Sequence, residues 1–393
     1  MNVLLVHNRY KQPGGEDAVF ASEGALLRFR GHEVWEYVDD NSRLDKMSRT
    51  QIAVNTLWSR HTYIQLSAVL RQHRPDVAHF HNTFVLISPA AYYSCREAGV
   101  PVVQTLHNYR LLCPGARFYR SGRVCEQCLS SSFKLNSISH GCYHDSRAHT
   151  AGVVLMLTLH TLLGTWHKMI DVYVVLNEFH RRKLIEAGFP SEKIVVKPNC
   201  LTIDPGPKKG IGDYALFVGR LSAGKGIATL LQAWTRMKEI PLKVVGDGSE
   251  MGWAHRYVTE HDLRNVELLG RRLPDEVRIL MKNARFLVFP SENYENFPVT
   301  IAEAFGCGLP VLASRLGAME EIISAGRNGQ FFTAGDARDL ALQAEHIWAN
   351  PRWGMEMGWE ARRDFEAKYS AEKNHEMLMS IYASAINRAQ NHL

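Results

Sequence analysis

Short apolar segments separated by helical patterns fill the first half of the chain. Residues 2–7, NVLLVH, form an apolar run, and residues 16–29 repeat apolar positions at helical spacing after a glycine pair. Further strand-like runs lie at 31–38, 76–82, 101–108 and 171–177. Apolar strands that alternate with helices predict a parallel sheet covered on both faces.

The same pattern restarts after a segment rich in proline, glycine and lysine. This segment, KPNCLTIDPGPKKGIGD, spans residues 197–213 and is typical of a linker. Strand-like runs then follow at 214–220, 242–248, 265–270, 285–290 and 309–314. We therefore expect an α/β protein with two doubly wound, Rossmann-like domains, at residues 1–198 and 213–370, joined by a linker at 199–212.

Composition fits a globular protein of two ordinary domains. The chain has 393 residues, 46% apolar and 22% charged, and no apolar run long enough to cross a bilayer. Its start lacks the features of a signal peptide, so we expect a cytoplasmic protein. Nothing resembles a zinc-finger, homeodomain or RNA-recognition motif, so nucleic acid is not an expected partner.

The net charge of +6 belongs to the N-terminal half. Residues 1–199 carry 23 Lys and Arg against 16 Asp and Glu, a net charge of +7. A basic face could attract an anionic substrate or an anionic membrane surface. A solvated surface without a partner explains the charge equally well.

The segment PSENYENFPVTIAEAFGCGLPV, residues 290–311, carries the strongest functional signal. It sets Glu295 and Glu303 eight positions apart. Pro298 suits the first position of a helix, and two glycines, 306 and 308, suit its end. Glu295 should then lie on a loop beside a helix N-terminus, which favours a phosphate, with Glu303 two turns inside the helix. Two carboxylates flanking a phosphate site match a nucleotide sugar, which has hydroxyls on both sides of its diphosphate.

This string resembles the signature of the family 4 retaining glycosyltransferases of the GT-B fold. The resemblance implies two Rossmann-like domains facing an interdomain cleft, with the last helix, 371–393, crossing back onto the first domain. It also implies that Glu295 holds hydroxyls of the donor sugar and that Glu303 binds the ribose. The remaining donor contacts would come from the backbone of Asn296 and Phe297 and, toward the phosphates, from Val299 and Thr300.

Two cations lie in a second motif, YALFVGRLSAGKGIATLLQAW, residues 214–234. Arg220 just follows a predicted strand and Lys225 precedes a helix, so they could neutralise a departing diphosphate. The family resemblance gives them that role and implies that no metal is required. A solvated loop is the alternative interpretation.

Gly14 and Gly15 follow the first predicted strand. A glycine pair lets the backbone approach a phosphate, as in the glycine loop that the family has here, although a plain tight turn has the same sequence. His107 ends the strand at 101–108, and by resemblance it contacts the donor sugar near its 6-hydroxyl. A structural role is the alternative for this histidine.

Four of the seven cysteines fall within thirty residues, in an excursion that spans 112–147. They are Cys113, Cys125, Cys128 and Cys142. The pair C-x-x-C has the spacing of a zinc knuckle, and disulfides are not expected in the cytoplasm. A structural zinc site and a set of reduced thiols are both open. Some glycosyltransferases of bacterial surface polysaccharide pathways share a similar insert, which places it near the acceptor.

The apolar stretch at 151–166 predicts a buried core helix or, alternatively, a face that touches a membrane. Membrane contact at the inner face would suit a polyprenyl-diphosphate-linked acceptor; a glycan is the other acceptor considered. We expect a UDP- or GDP-sugar donor. Two rival hypotheses are a nucleotide-sugar 2-epimerase of the same fold and a non-catalytic nucleotide-sugar-binding subunit.

Overall fold

The computed structural model describes residues 1–11, 14–131 and 133–390. The chain divides into two compact units. The first comprises residues 1–118, 126–202 and the C-terminal segment from Ala371. The second comprises residues 119–125 and 203–370.

Secondary structure covers most of the described chain. The strands are β1 (Asn2–Arg9), β2 (Glu33–Asp40), β3 (Val77–Asn82), β4 (Val102–Thr105), β5 (Tyr119–Arg120), β6 (Arg123–Val124), β7 (Val172–Val175), β8 (Ile194–Val196), β9 (Ala215–Val218), β10 (Leu242–Val245), β11 (Val266–Gly270), β12 (Phe286–Phe289), β13 (Val311–Ser314) and β14 (Gly329–Phe332). The helices are α1 (Gly15–Phe29), α2 (Arg49–Leu57), α3 (Arg60–His73), α4 (Ala90–Glu97), α5 (Leu135–Ser139), α6 (Arg147–Leu162), α7 (Thr165–Lys168), α8 (Glu178–Glu186), α9 (Ile227–Trp234), α10 (Met251–Glu260), α11 (Pro274–Asn283), α12 (Val299–Gly306), α13 (Met319–Ile322), α14 (Ala337–Ala349), α15 (Pro351–Lys368) and α16 (Ala371–Gln390). Short 3₁₀ helices span Asn41–Lys46 and Ser191–Lys193.

The first unit contains a six-stranded parallel sheet in the order β2-β1-β3-β4-β7-β8. Every residue of β3 is buried, as expected for a central strand covered on both faces. The last helix packs into this unit, because Leu378, Ile381 and Tyr382 of α16 join the core formed by β1, β3 and β4. The final three residues of the helix predicted at 371–393 lie outside the described residues.

The second unit contains a second six-stranded parallel sheet, in the order β11-β10-β9-β12-β13-β14. Counted along the chain this is the order 3-2-1-4-5-6 of a dinucleotide-binding Rossmann domain. The strand order reverses between β9 and β12, and ligands of such sheets bind beyond the carboxyl ends of the strands at that point. The predicted α/β class with two doubly wound domains is confirmed.

Element boundaries differ from the prediction in places. The strand predicted at 101–108 ends at Thr105, because the chain turns at the polar residues that follow. Pro298 is the N-cap of α12 rather than its first residue, and its extended backbone (φ −76°, ψ 110°) starts the helix at Val299. The strands β8 and β14, of three and four residues, are too short to have been recognised from an apolar pattern.

The apolar stretch at 151–166 lies mainly in α6, with its end in the short helix α7. One face is buried through residues that include Val153, Met156 and Leu157, so part of this helix belongs to the core. Leu155 and Leu162 of the same helix are 54% and 74% exposed. No helix over the described ranges combines the length and apolar character needed to cross a membrane.

Candidate functional site

The loops after β9 and β12 meet at the point where the second sheet reverses its strand order. Arg220 and Lys225 lie in the loop between β9 and α9, and Glu295 lies in the loop between β12 and α12. Parallel strands bring both loops to the same edge of the sheet. The fold thus collects on one edge three residues that are up to 75 positions apart in the chain.

Lys225 and Glu295 form the centre of this site. The Lys225 ammonium lies 2.6 Å from Oε1 of Glu295, and the Ser291 hydroxyl donates to the same oxygen at 2.6 Å. The Lys225 side chain is 30% exposed and that of Glu295 is 14% exposed. These hydrogen bonds fix the position of the Glu295 carboxylate at the edge of the sheet. The side chain keeps enough exposure for a ligand to reach it.

Backbone contact between the two loops requires glycine at position 226. Gly226 has φ +73°, and a Cβ there would lie 1.8 Å from the carbonyl oxygen of Pro290. The neighbouring Gly224 carbonyl accepts from the Glu292 N–H at 2.8 Å. These contacts fix the position of Lys225 relative to the loop that carries Glu295.

Arg220 lies at the same edge of the sheet and is exposed to solvent. Its loop is held by the loop after β10, where the Leu221 N–H donates to the Asp247 carbonyl at 3.0 Å. Gly246 allows this approach, since a Cβ there would lie 1.8 Å from the Gly219 carbonyl oxygen. The structure thus gives this glycine a packing role. Arg220 forms no ion pair with any carboxylate in the described parts of the chain, so its guanidinium is available to an anion.

The residues that follow Glu295 lead directly into the N-terminus of α12. Val299 and Thr300 form its first turn, and Asn296 and Phe297 precede it, each 8% exposed. Pro298 provides no side-chain cap, and the Ile301 N–H donates to the Pro298 carbonyl at 3.0 Å. The N–H groups of a first helical turn together with the helix dipole attract an anion.

Glu303 lies in the second turn of α12 and is half-buried. Burial raises the pKa of its carboxyl to about 7, and the nearby Arg278 guanidinium only partly opposes this shift. A carboxyl that titrates near neutrality alternates between accepting and donating hydrogen bonds, so its affinity for hydroxyls depends on pH. Together, the second unit offers an anion site flanked by two carboxylates.

In the first unit, His107 follows β4 and joins a row of buried histidines. Its Nε2 lies 3.0 Å from Nδ1 of His81, and the two rings stack with centroids 5.2 Å apart. His79 bonds to the hydroxyls of Tyr382 and Thr105 at 2.8 and 2.7 Å. Burial lowers the pKa of His79 and His81 well below 6.5 and that of His107 to about 3, so all three are neutral at pH 7.

A buried ion pair lies beside these histidines. The Lys197 ammonium contacts Glu23 at 2.5 Å, and both side chains are 1% exposed. The other Glu23 oxygen lies 3.5 Å from Nε2 of His81. The pair ties α1 to the segment that leaves the first unit, and it has a structural role that the sequence did not reveal.

The fold does not require glycine at positions 14 and 15. Gly14 is the N-cap of α1 with φ −126°, and an added Cβ would meet only Asp17 Oδ2 at 3.8 Å. A Cβ at Gly15 would meet nothing within 4 Å. Open space at both residues agrees with close approach by a ligand. The first turn already contains Glu16 and Asp17, however, and the Asp17 carboxylate accepts from the Gly14 N–H, which weakens this helix end as a phosphate site.

The four candidate zinc ligands are divided between the two units. Cys113, Cys128 and Cys142 belong to the first unit, and Cys125 to the second. Across the described residues, the group of three whose metal-ligating atoms lie within 4.8 Å of one another is Glu23, His79 and His81. The three cysteines of the first unit do not form such a group as they are arranged, and the zinc site stays a prediction from their spacing.

Several residues of the site gave no separate signal in the sequence. Ser291 supports Glu295, and the Thr229 hydroxyl donates to Glu292 at 2.5 Å. The position of Ser291 and Glu292 shortly after the buried strand β12, at the reversal point of the sheet, was the available signal. Tyr119 had none: it comes from the hairpin β5–β6 of the cysteine-rich insert and groups with the second unit, where its ring would lie 3.2 Å from a Cβ added at Gly224.

Comparison with protein families agrees with this geometry. Residues 19–204 match the family described as Glycosyltransferase Family 4, and residues 212–350 match the family Glycosyl transferases group 1. The chain belongs to the family 4, group 1, glycosyltransferases. The site therefore lies in a glycosyltransferase of GT-B architecture.

Individual relatives cover the chain to different extents. An uncharacterized glycosyltransferase of Methanocaldococcus jannaschii, MJ1178, is 33% identical over 186 residues, which is 45% of this chain and 52% of that protein. The matches to the first relatives thus span about half of their length. N-acetyl-alpha-D-glucosaminyl L-malate synthase of Bacillus anthracis is 22% identical over 97% of both chains. Anabaena Alr3699/HepE, solved in complex with UDP, has the same fold, with a TM-score of 0.71 at 17% identity over 98% of this chain and 100% of that one.

Proposed function

We propose that the protein is a retaining glycosyltransferase that moves a sugar from a nucleotide-diphosphate sugar to a glycan or lipid-linked acceptor in polysaccharide biosynthesis. The observation that carries this proposal is the Lys225–Glu295 pair beside the N-terminus of α12, where Pro298 provides no side-chain cap. It combines a cation, a carboxylate and an anion-binding helix end within one edge of a dinucleotide-binding sheet.

Each group has a defined part in donor binding. Glu295 accepts hydrogen bonds from hydroxyls of the donor sugar, and Glu303 accepts those of the ribose. The α12 first turn, at Val299 and Thr300, holds the diphosphate together with Arg220 and Lys225. The backbone of Asn296 and Phe297 completes the sugar contacts. Alr3699/HepE was solved in complex with UDP, and this supports a UDP-sugar as the donor. A GDP-sugar is the alternative.

The chemical step follows from the charges of this site. As the bond between the sugar C1 and the diphosphate oxygen breaks, negative charge develops on the diphosphate. Arg220, Lys225 and the α12 dipole stabilise that charge, which is the task that a metal ion performs in other transferases. The acceptor oxygen forms its bond to C1 on the face from which the diphosphate leaves, and its proton passes to a diphosphate oxygen.

The first unit would serve the acceptor and a membrane surface, and it would also reach the donor, with His107 near the 6-hydroxyl of the sugar and the Gly14–Gly15 backbone near a phosphate. His107, Gly14 and Gly15 lie at or beyond the carboxyl ends of β4 and β1, where ligands of such sheets bind. Leu155 and Leu162 of α6 are exposed, and the N-terminal half carries the excess positive charge. Exposed apolar side chains in the half of the chain that carries the excess positive charge favour contact with an anionic lipid surface at the inner face of the membrane.

Donor turnover without an acceptor tests this function. Purified protein is mixed with UDP-, GDP- and ADP-sugars in the presence of a chelator, and the donors are followed by ¹H and ³¹P NMR. Slow release of nucleotide from one donor, with the sugar first released as the α-anomer from an α-linked donor, supports a retaining, metal-independent transferase. An unchanged rate with the chelator is expected.

The same spectra distinguish the two rivals. Conversion of a donor into an isomeric nucleotide sugar would identify a 2-epimerase. Tight binding without turnover, even when candidate acceptors are added, would identify a binding subunit. Absence of both binding and turnover for every donor would contradict the proposed site.

A further inference from the structure

A small cavity lies in the first unit, and its wall includes His107, the expected contact of the donor sugar. Its volume is about 60 Å³, and it lies at the carboxyl ends of β3 and β4. Polar wall residues include Asn82, His107 and Asn108, and apolar wall residues include Met156 and Trp166. A volume of this size holds a few water-sized groups, as a phosphoryl or carboxylate group does, but not a whole sugar.

The charge of the cavity wall is one-sided. Among the lining residues that the structure describes, Arg110 is the one lysine or arginine, and none is an aspartate or glutamate. The two histidines of the wall, His81 and His107, are neutral because burial lowers the pKa of each. The wall therefore carries a single permanent positive charge at neutral pH.

Arg110 is held in place without being neutralised. Its guanidinium carbon lies 4.1 Å from the ring centroid of Phe84 and 5.1 Å from that of Tyr143, and Nη1 donates to the Pro114 carbonyl at 3.2 Å. Stacking uses the faces of the guanidinium, so the N–H donors along its edge stay available, apart from the one bonded to Pro114.

Glu16 lies within electrostatic reach of Arg110, and its carboxylate accepts from Asn108 Nδ2 at 2.8 Å. Burial raises the pKa of the Glu16 carboxyl, and the Arg110 charge only partly opposes that shift. Among the described residues no carboxylate forms an ion pair with Arg110, so this half-buried guanidinium keeps donors for an oxyanion.

We propose that this cavity binds an anionic group of the acceptor, a phosphoryl or carboxylate group, through Arg110. The inference rests on the proposed function, since it names the chemical class of acceptor that this transferase takes. The same oxyanion chemistry has two sources: the diphosphate of a lipid-linked acceptor and the carboxylate of a small soluble acid. Asn108 is a positioning residue, because its side chain accepts from the Arg110 backbone N–H at 3.0 Å.

Calorimetric titration of the full-length protein tests the proposal. The donor site is first saturated with UDP or GDP, whichever binds, and inorganic pyrophosphate and malate are then titrated separately. Arg110→Met keeps an apolar stem on Phe84 and removes the charge, and it should weaken binding of the anion that the wild type takes by at least about tenfold. Arg117→Met, an exposed arginine of the same segment, is the matched control and should leave the affinity unchanged.

A second variant separates a loss of anion binding from a loss of folding. Arg110→Lys keeps the charge and loses the planar fork, so its affinity should fall between those of the wild type and Arg110→Met. Thermal unfolding midpoints are compared for all variants. Equal affinity in wild type and Arg110→Met, no binding of either anion to the wild type, or an equal loss in Arg117→Met would overturn the proposal.

Vesicles distinguish the two sources of the anion. Co-sedimentation is measured with vesicles that contain or lack a polyprenyl diphosphate. A loss of binding in Arg110→Met confined to the diphosphate vesicles identifies a lipid-linked acceptor, whereas an Arg110-dependent response to malate alone identifies a soluble acid. The nucleotide titration separates this proposal from the proposed function. Nucleotide binding without an Arg110 effect rejects only the subsite, and an Arg110 effect without nucleotide binding rejects only the donor assignment.

Discussion

The Lys225 ammonium lies 2.6 Å from Oε1 of Glu295, so the cation and the carboxylate assigned to different parts of the donor are paired with each other. The pair holds both groups in place and leaves their side chains 30% and 14% exposed. In the proposed function, the donor diphosphate would draw Lys225 away and leave Glu295 to accept sugar hydroxyls. Donor binding would then exchange one ion pair for another, which would limit the cost of desolvating either group.

Removing either partner should abolish turnover without unfolding the protein. We expect Lys225→Ala and Glu295→Ala each to lower donor turnover by at least about 10²-fold, because each loses a contact that strengthens as charge develops. The double variant should lose far less than the product of the two effects, since the groups act as a unit. Lys238→Ala, an exposed lysine of the same unit, is the control. Near-normal turnover in either single variant would contradict the assignment.

Donor affinity should depend on pH through Glu303. Burial raises the pKa of this carboxyl to about 7 in the free protein. Only about a tenth of it is ionised at pH 6 and most of it at pH 8, so a donor that prefers the carboxylate binds up to about tenfold more tightly at pH 8. Titration with a nucleotide sugar, whose diphosphate does not titrate in this range, measures the effect.

Two variants give the Glu303 test its control. Glu303→Gln should remove the pH dependence, while Glu345→Gln, an exposed glutamate on α14, should retain it. A pH dependence that survives in Glu303→Gln would show that another group is responsible.

Gly226 should not tolerate a side chain. Alanine at this position combines a φ of +73° with a Cβ 1.8 Å from the Pro290 oxygen, so the two loops must separate. We expect Gly226→Ala to lower the free energy of unfolding by about 2–4 kcal/mol and to weaken donor binding. Gly252→Ala in α10 is the control, because its Cβ would meet only Arg256 Nη1 at 3.8 Å and alanine favours helices. Equal stability of the two variants, measured by urea unfolding, would show that the loops adjust freely.

The buried histidines should make the first unit sensitive to acid. Burial lowers the pKa of His79 and His81 well below the ordinary value of 6.5, so the unfolded chain binds protons that the folded unit does not. The stability that they contribute is complete above pH 6.5 and is lost as the pH falls toward their folded pKa values. Each histidine contributes a slope of up to about 1.4 kcal/mol per pH unit.

Urea unfolding at pH 7.5 and pH 5.5 checks this prediction. His79→Gln should show a smaller loss of unfolding free energy between the two pH values than the wild type does. His255→Gln serves as the control, since His255 is exposed on α10. The same pH dependence in the wild type and His79→Gln would contradict the account.

The periodicity of apolar residues was enough to predict both sheets. Buried strands such as β1 and β12 are nearly continuous apolar runs, and their alternation with helices leaves few topologies open. The family string predicted the α12 helix with Glu295 outside it and Glu303 inside it. The restart of the pattern after the proline-rich segment predicted a second doubly wound domain.

Contacts between distant segments could not be predicted in the same way. The bond from Ser291 to Glu295 depends on a side-chain direction within a loop, and the burial that shifts the pKa of Glu303 depends on how α12 packs in the folded unit. Nothing in the local sequence pairs Glu23 with Lys197, which are 174 positions apart. The role proposed for Arg110 could not be predicted from the sequence either, because it depends on which other residues line the cavity.

Nucleotide binding to the second sheet tests the central claim most directly. UDP, GDP and ADP are titrated calorimetrically into the wild type, Arg220→Gln and Arg264→Gln, the last being an arginine of the same unit with an 86% exposed side chain. The account predicts that one nucleotide binds the wild type, that Arg220→Gln weakens this binding at least about tenfold, and that Arg264→Gln leaves it unchanged. Equal binding by wild type and Arg220→Gln, or no binding of any nucleotide, would contradict the donor site at the β9–β12 reversal.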